Sequence, residues 1–464
     1  MTKSSDTIFA LSTLLGKSGV AIIRISGQAV KEIASKFKFQ AKLIPNKAFK
    51  HKLVGINSRD LIDECLIIYF KEPKSFTGED VLEFHTHGSV AVIKRLTDEL
   101  TSTELEHGRL RIAEAGEFSK RAFFNGKMDL TQAEGLAALI DSETEVQRQI
   151  AVRQFSGEQG SLYEQWRSEL IKILSLLEAL IDFPTDDIPP ATLNNAQDAI
   201  NSLKASISNH LKQGNNAEVL RRGFRVAIVG EPNAGKSTLL NHLVKRQAAI
   251  VSPSAGTTRD VIEVKLDLEG YAVIISDTAG IRKSNDQIEQ EGVKRSINAI
   301  EDSDLCLLVC DVSKSIPSNI LAQITRANIC YKIIFNKADL FENKVSLFDH
   351  LRDLKGRADA MESESITISL AQNNHPRISE ITALILRHLK EHCAVSSEPL
   401  LTSERHKHHL KDVIANLDSF DVNAHLDIAC EYIRHSANAL SQITGKINLE
   451  EVLDLVFSSF CIGK

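Results

Sequence analysis

The spacing of apolar positions changes along the chain, and each change marks a different kind of element. Up to about residue 125, short apolar runs such as Val20-Ala-Ile-Ile-Arg-Ile25 and the stretch 61–70 lie between glycine turns, and a helical spacing sets in from Val90. Alternating short runs of this kind predict a small α+β domain over residues 1–125. From Asp129 to about Leu220 the period is helical, with Leu170, Ile173, Leu174, Leu177 and Ile181 on one face. The stretch Asp182-Phe-Pro-Thr-Asp-Asp-Ile-Pro-Pro190 ends that helix, because proline has no N–H to donate and its ring clashes with the preceding turn. Between Arg222 and about Leu389, apolar runs of strand length alternate with helical segments, the pattern of a parallel sheet wrapped by helices. The helical period then returns, with Leu410, Val413, Ile414 and Leu417 on one face. The expected organisation is an α/β domain over 222–389 inserted between the two parts, 126–221 and 390–464, of one helical domain, behind the α+β domain.

Composition narrows this only a little. A chain of 464 residues exceeds what one core usually supports, and 43% hydrophobic with 25% charged residues is ordinary globular composition. The absence of a long apolar run and of a basic, apolar N-terminus gives the expectation of a cytoplasmic location without membrane insertion. Seven scattered cysteines predict reduced thiols, and Cys306 and Cys310, in Asp304-Leu-Cys-Leu-Leu-Val-Cys-Asp311, predict core packing in a buried strand. A formal charge of -6 carries no whole-chain signature for nucleic acid, so any RNA contact must be a local patch.

The chemistry sits in the α/β segment. The run Phe224-Arg-Val-Ala-Ile-Val229 leads into Gly230-Glu-Pro-Asn-Ala-Gly-Lys-Ser237 and then a helical stretch from Thr238, a phosphate loop in its proper strand-to-helix setting. Backbone amides from Asn233, Ala234, Gly235 and Thr238 are expected around the phosphates, with Lys236 neutralising terminal oxygens and the Ser237 hydroxyl ligating magnesium. Asp277-Thr278-Ala279-Gly280 follows a further apolar run, where an aspartate can hold magnesium through water and a glycine can sense the terminal phosphate. Gly256-Thr257-Thr258-Arg-Asp260 offers Thr258 as the hydroxyl that completes the magnesium shell. Asn336-Lys337-Ala-Asp339 ends another apolar run, and Asp339 can accept two hydrogen bonds from guanine that adenine cannot supply, which points to GTP. Ser369, in Ile368-Ser-Leu-Ala371, is the weaker candidate for packing on the base, since leucine stands where alanine is usual. Ile281 occupies the position at which Ras-like enzymes carry a water-orienting glutamine, so hydrolysis needs another group. The acidic run Asp286-Gln-Ile-Glu289 is nearby, though solvated switch-loop charges explain it as well.

Segments outside this domain carry a resemblance that spans the chain. They are Gly19-Val-Ala-Ile-Ile-Arg-Ile-Ser-Gly27, Ser75-Phe-Thr-Gly-Glu-Asp-Val-Leu-Glu83, Gly116-Glu-Phe-Ser-Lys-Arg-Ala-Phe-Phe-Asn-Gly-Lys-Met-Asp-Leu130, Ile181-Asp-Phe-Pro184 and the terminal Phe460-Cys-Ile-Gly-Lys464. Together with the nucleotide motifs they resemble the MnmE (TrmE) family of tRNA-modification GTPases. The resemblance implies a Ras-like GTPase domain, and a homodimer whose GTPase domains meet when potassium binds near Asn233, Ser252, Ser254 and Thr257. It also implies Ser252 and Thr257 among the GTP-binding residues, Glu289 as the group that positions water, and Cys461 as a site residue. The same resemblance implies that the N-terminal domain binds 5-formyltetrahydrofolate or a related tetrahydrofolate, with Arg24, Glu83, Lys127 and Lys464 as the matching residues. The implied partners are tRNA and the FAD-holding flavoenzyme MnmG (GidA), and the implied task is modification of C5 of wobble uridine. The chain departs from the family pattern at Ser12-Thr-Leu-Leu-Gly16 and Phe84-His-Thr-His87. Other classes remain open: a ribosome-assembly GTPase acting as an RNA-binding switch, and a nucleotide-regulated scaffold. His406-Lys-His-His409 reads as the solvated face of an amphipathic helix, and Trp166 as packing within a helix.

Overall fold

The structure is a computed structural model that describes residues 6–39, 42–106, 108–182, 191–246, 262–277, 297–340, 344–357, 364–371, 377–393, 401, 403–421, 425–447, 453, 456–458 and 460–463. By Cα proximity the chain forms two compact units: Met1–Ile140 with Arg153–Lys204 and His408–Lys464, and Asp141–Val152 with Ala205–Lys407.

The first unit opens with β1 (Thr7–Leu11), β2 (Ser18–Ser26), β3 (Phe49–Val54), β4 (Leu61–Phe70), β5 (Val81–Gly88) and β6 (Leu110–Ile112), a sheet of order β3-β4-β5-β2-β1-β6. Its neighbours are antiparallel except β1 and β6. Alternation along the strands sends Ile23, Ile25, Ile67 and Phe84 to one face, where α1 (Val30–Lys36) and α2 (Val90–Thr101) cover them with Val30, Ile33, Leu96 and Leu100. Helices follow along the chain: α3 (Glu117–Phe124), α4 (Leu130–Ile140) and α6 (Glu158–Asp182) lie in this unit, α5 (Glu145–Phe155) falls mostly in the second, and α7 (Ala191–Arg222) belongs to the first only as far as Lys204. The stripe expected on α6 is narrower than its spacing suggests. Leu170, Ile173 and Leu177 are buried, while Ile181, in the last turn, is 48% exposed. Trp166 is buried on the same helix with its ring beside Tyr163, centroids 5.7 Å apart.

The second unit holds β7 (Phe224–Val229), α8 (Lys236–Arg246), β8 (Ile262–Leu268), β9 (Tyr271–Asp277), β10 (Leu305–Asp311), α9 (Ser318–Ala327), β11 (Tyr331–Asn336), α10 (Lys344–Arg357), β12 (Ser365–Thr367) and α11 (Ile378–His392). The sheet order is β12-β11-β10-β7-β9-β8, parallel throughout except for the β8 edge. A parallel sheet is buried on both faces, and every residue of β10 is buried. Cys306 and Cys310 are therefore core thiols, pushed up to about 11 and about 12 by burial. The chain ends with α12 (Glu404–Asp418) and α13 (Leu426–Thr444). The fold is thus a Ras-like α/β domain inserted in sequence within helical segments, behind an N-terminal α+β domain.

One expectation is corrected here. His406 and Lys407 are not on a solvated face: His406 is fully buried, and Lys407 is buried with its Nζ on Glu218 at 2.5 Å and Glu404 at 2.6 Å. Two carboxylates satisfy the lysine, which the pattern of a basic tetrapeptide does not reveal.

Candidate functional site

The carboxyl ends of β7, β10, β11 and β12 point the same way, and in open parallel sheets this edge is where ligands bind. At the end of β7 the chain turns through residues 230–235 and enters α8 at Lys236. Asn233 has φ +62, an uncommon conformation for a non-glycine residue. Gly235 has φ +107, and a Cβ there would lie 2.2 Å from the Asn336 Nδ2, so only glycine fits. The first N–H groups of α8 have no acceptor within the helix and the helix dipole is positive at this end, which makes the turn a phosphate cradle. Lys236, 7% exposed, donates from Nζ to the carbonyls of Gly230 and Glu231, each at 2.8 Å, so its charge is held over the loop. Ala234 is buried, whereas Ser237 and Thr238 are exposed at the helix start.

Asn336 binds the nucleotide motifs to one another. Its Nδ2 donates to the Ala234 carbonyl at 2.8 Å, and its Oδ1 accepts from the Leu370 N–H at 3.0 Å. One side chain at the end of β11 therefore fixes both the phosphate loop and the loop after β12. That second loop carries Ser369, whose hydroxyl donates to the Asp339 carboxylate. Asp339 is itself exposed, with its carboxylate oriented but open to a ligand. Leu370 does not approach that space: it is 3% exposed and packs into the sheet core, so the leucine in place of alanine alters the core side of the loop. Lys337, at φ +65, pairs with Asp311 at 2.6 Å.

Asp311 was not singled out in the sequence, although an acid at the carboxyl end of a wholly buried strand is a readable signal. Burial pushes its carboxyl up, but Lys337 and Ser313 outweigh burial and hold it at about 2. A carboxyl depressed in the folded state stabilises the fold above its ordinary value of 3.8 and loses that contribution as the pH falls toward about 2. Acid unfolding of the full chain is accordingly expected to shift to higher pH in Lys337→Ala. An unchanged midpoint in a denaturation titration would rule the pair out as a contributor.

Other predicted residues are placed less completely. Asp277 ends β9 in register with Ile228 of β7, so its backbone reaches the phosphate-loop edge. Ser252, Ser254, Thr257, Thr258, Thr278, Ala279, Gly280, Ile281 and Glu289 lie outside the described residues, as does Lys464.

A second constellation lies in the N-terminal domain. Arg24 on β2 and Glu83 on β5 are directly opposed, and Arg24 Nε donates to Glu83 Oε1 at 2.8 Å. The guanidinium also sits over the rings of Phe76 and Phe118, 5.5 and 5.7 Å from their centroids. His85 supports the other carboxylate oxygen at 3.0 Å, so the histidine that departs from the family pattern takes part in the site. Burial pushes the Glu83 carboxyl up, while His85 and Arg24 more than offset it and keep the group below its ordinary range. Lys127 anchors the loop that supplies Phe76, donating to the Pro73 carbonyl at 2.9 Å.

The chain's end reaches the same domain. Ile462 bridges to Ala115, just before α3 with its Phe118, and Ser12 Oγ donates to the Gly463 carbonyl at 3.0 Å. Gly463 has φ +105, and a Cβ there would meet the Leu11 carbonyl at 2.1 Å, so the tail lies directly on β1. Cys461 is exposed beside this docked segment. The structure thus assembles Arg24, Glu83, Phe76 and Phe118, and brings the tail to the loop that precedes Phe118. Phe76, Phe118 and Ser12 gave no chemical signal of their own in the sequence, because each acts through a contact distant along the chain, whereas His85 meets Glu83 two residues away, on the same face of β5.

The family described as GTP-binding protein TrmE N-terminus matches residues 7–127, and the MnmE helical domain family matches residues 130–461. The chain is 42% identical over 463 residues to the tRNA modification GTPase MnmE of Rickettsia akari (strain Hartford), covering 99% of this chain and 100% of that protein. It is 42% identical over 461 residues to the protein of that name from Orientia tsutsugamushi (strain Boryong), again covering 99% and 100%. Among solved structures, Aquifex aeolicus Era bound to GDP and aluminium fluoride aligns with a TM-score of 0.30 at 24% identity, over 41% of this chain and 66% of that one. Among the described residues no helix is long and apolar enough to cross a membrane. End-to-end identity at this level, with both family domains in order around a phosphate loop, shows that the chain belongs to the MnmE (TrmE) family of tRNA modification GTPases.

Proposed function

We propose that the chain is a potassium-activated GTPase that works as a homodimer with the flavoenzyme MnmG. The pair adds a carboxymethylaminomethyl or aminomethyl group to C5 of the wobble uridine of certain tRNAs. The observation that carries the potassium part is Asn233: an exposed side chain held at φ +62 within the phosphate loop, where its carboxamide oxygen can face a cation beside the phosphates. Asn233, Ala234, Gly235, Lys236, Ser237 and Thr238 hold the phosphates, and Asn336, Lys337, Asp339 and Ser369 hold the base. Asp277, Thr278, Ala279 and Gly280 face the terminal phosphate, Ser237 and Thr258 hold magnesium, and Ser252, Ser254 and Thr257 join Asn233 around potassium. The cations, when bound, supply positive charge against the charge that develops on the phosphates. Glu289 orients water in place of the glutamine that Ile281 excludes.

The N-terminal domain takes a tetrahydrofolate as the one-carbon source. The donor set fits: a buried carboxylate suits a polar pterin, the Arg24 guanidinium and the half-buried Phe76 ring suit its flat face, and Lys127 and Lys464 suit an anionic tail. Cys461 stands at the edge of this site as its thiol. The division into 1–125, 126–221, 222–389 and 390–464 follows these roles.

The test is GTP turnover by the full chain in potassium and in sodium chloride at equal ionic strength, with dimerisation followed by light scattering. Turnover at least about tenfold faster in potassium, equivalent to about 1.4 kcal/mol, is expected. Equal rates would sink the potassium mechanism, and a Glu289→Ala variant hydrolysing at the normal rate would remove Glu289 from catalysis.

A further inference from the structure

Residues 33–59 contain Lys36, Lys38, Lys42, Lys47, Lys50, Lys52 and Arg59 and not one Asp or Glu, in a chain of formal charge -6. The fold draws much of this run around a groove of about 940 Å³ lined by Lys36, Lys38, Lys50, Lys52, Arg59 and Glu64, together with Phe37 and His51. These cations arrive from separate elements. Lys36 ends α1 and Lys38 follows it at φ +51; Lys50 and Lys52 lie on β3; Arg59 stands in the turn to β4 at φ +63. Lys50 pairs with Glu64 at 3.0 Å and Lys36 with Glu32 at 3.4 Å, whereas Lys38, Lys52 and Arg59 are exposed and make no ion pair among the described residues.

Lysine on an outer strand is an ordinary guard against strand-to-strand association, which accounts for Lys50 and Lys52 on β3. It does not account for Lys38 and Arg59, which reach the same groove from turns with left-handed backbone at non-glycine residues. Gathering like charges this closely opposes folding unless an anion meets them. Lys50 and Lys52 are both exposed on one face of β3. At a strand rise of about 3.4 Å per residue they stand about 7 Å apart, comparable to successive phosphates along a nucleic-acid strand. His51 is held edge-on to Phe39 with centroids 4.9 Å apart, and burial keeps it below its ordinary range, so the lysines and arginine supply the charge.

We propose that this groove binds the sugar-phosphate backbone of RNA, namely the tRNA of the function proposed above, on which the inference rests. The experiment measures binding of an unmodified tRNA transcript to the full chain across about 50–200 mM salt, for the wild type and for Lys38→Ala/Lys52→Ala/Arg59→Ala. Each lost phosphate contact lowers the log-log salt slope by about 0.7–0.9, so the triple variant is expected to lose about 2 to 3 in slope and to bind at least about tenfold more weakly. GTP hydrolysis and thermal stability are expected to stay at wild-type values, since these side chains are exposed and far in sequence from the nucleotide motifs. Wild-type binding with an unchanged slope in the variant overturns the groove alone. No tRNA binding by the wild type overturns the tRNA reading with it. Loss of poly-L-glutamate binding without loss of tRNA binding also overturns the proposal, in favour of an acidic protein.

Discussion

Asp339→Asn is expected to lower GTP affinity on the order of 10³-fold, because a site built to accept hydrogen bonds rejects a ligand it can no longer pair with. The Asp339 carboxylate is exposed, and the Ser369 hydroxyl donates to it, which orients its oxygens at the end of β11. A guanine presents two N–H donors to such a carboxylate. An asparagine turns one acceptor into a donor and sets N–H against N–H. Xanthine carries an oxygen where guanine carries its amine, so a xanthosine nucleotide is expected to bind the variant better than GTP does. Titration with fluorescent nucleotides reads both affinities. GTP affinity equal to wild type would remove Asp339 from base recognition.

Gly235→Ala is the second substitution with a large expected effect. The added methyl would fall 2.2 Å from Asn336 Nδ2, and φ +107 is itself a conformation that alanine resists. The backbone term alone costs about 1–3 kcal/mol. Relief requires moving Asn336, which also holds the Ala234 carbonyl and the Leu370 N–H, so the phosphate loop and the base loop are displaced together. Loss of GTP binding by on the order of 100-fold or more is expected, equivalent to about 2.7 kcal/mol, in a chain that retains its helical and N-terminal folds by circular dichroism. Binding within a few-fold of wild type would show that the clamp has slack.

What the sequence disclosed depends on how local each cause is. The phosphate loop was legible because its parts are neighbours: an apolar strand, a turn that needs glycine, and a helix start. Asn336 and Asp339 were legible as a tetrapeptide at a strand end. The clamp that Asn336 makes was not, since its partners Ala234 and Leu370 lie 102 and 34 residues away. The core side of the Leu370 substitution also needed the fold, because a hydrophobic residue in a loop can turn either way.

In the N-terminal domain, Arg24 and Glu83 stood out only through the family resemblance and otherwise read as surface charges; strand register is what opposes them. His406 and Lys407 misled for the opposite reason: a run of polar letters resembles a solvated face unless one knows that Glu218 answers Lys407 across 189 residues. The basic stretch 33–59 was open to view in the sequence, but its convergence on one groove depends on the turns at Lys38 and Arg59.

The central claim is that GTP hydrolysis here serves wobble-uridine modification, and nucleoside analysis of tRNA tests it most directly. Cells lacking the chain are compared with cells carrying the wild type or Lys236→Ala, which removes the cation held over the phosphate loop. The account predicts that C5-modified wobble uridine disappears without the chain, returns with the wild type and does not return with Lys236→Ala. Unchanged wobble-uridine modification in the deletion, with ribosomal precursors accumulating instead, would contradict it.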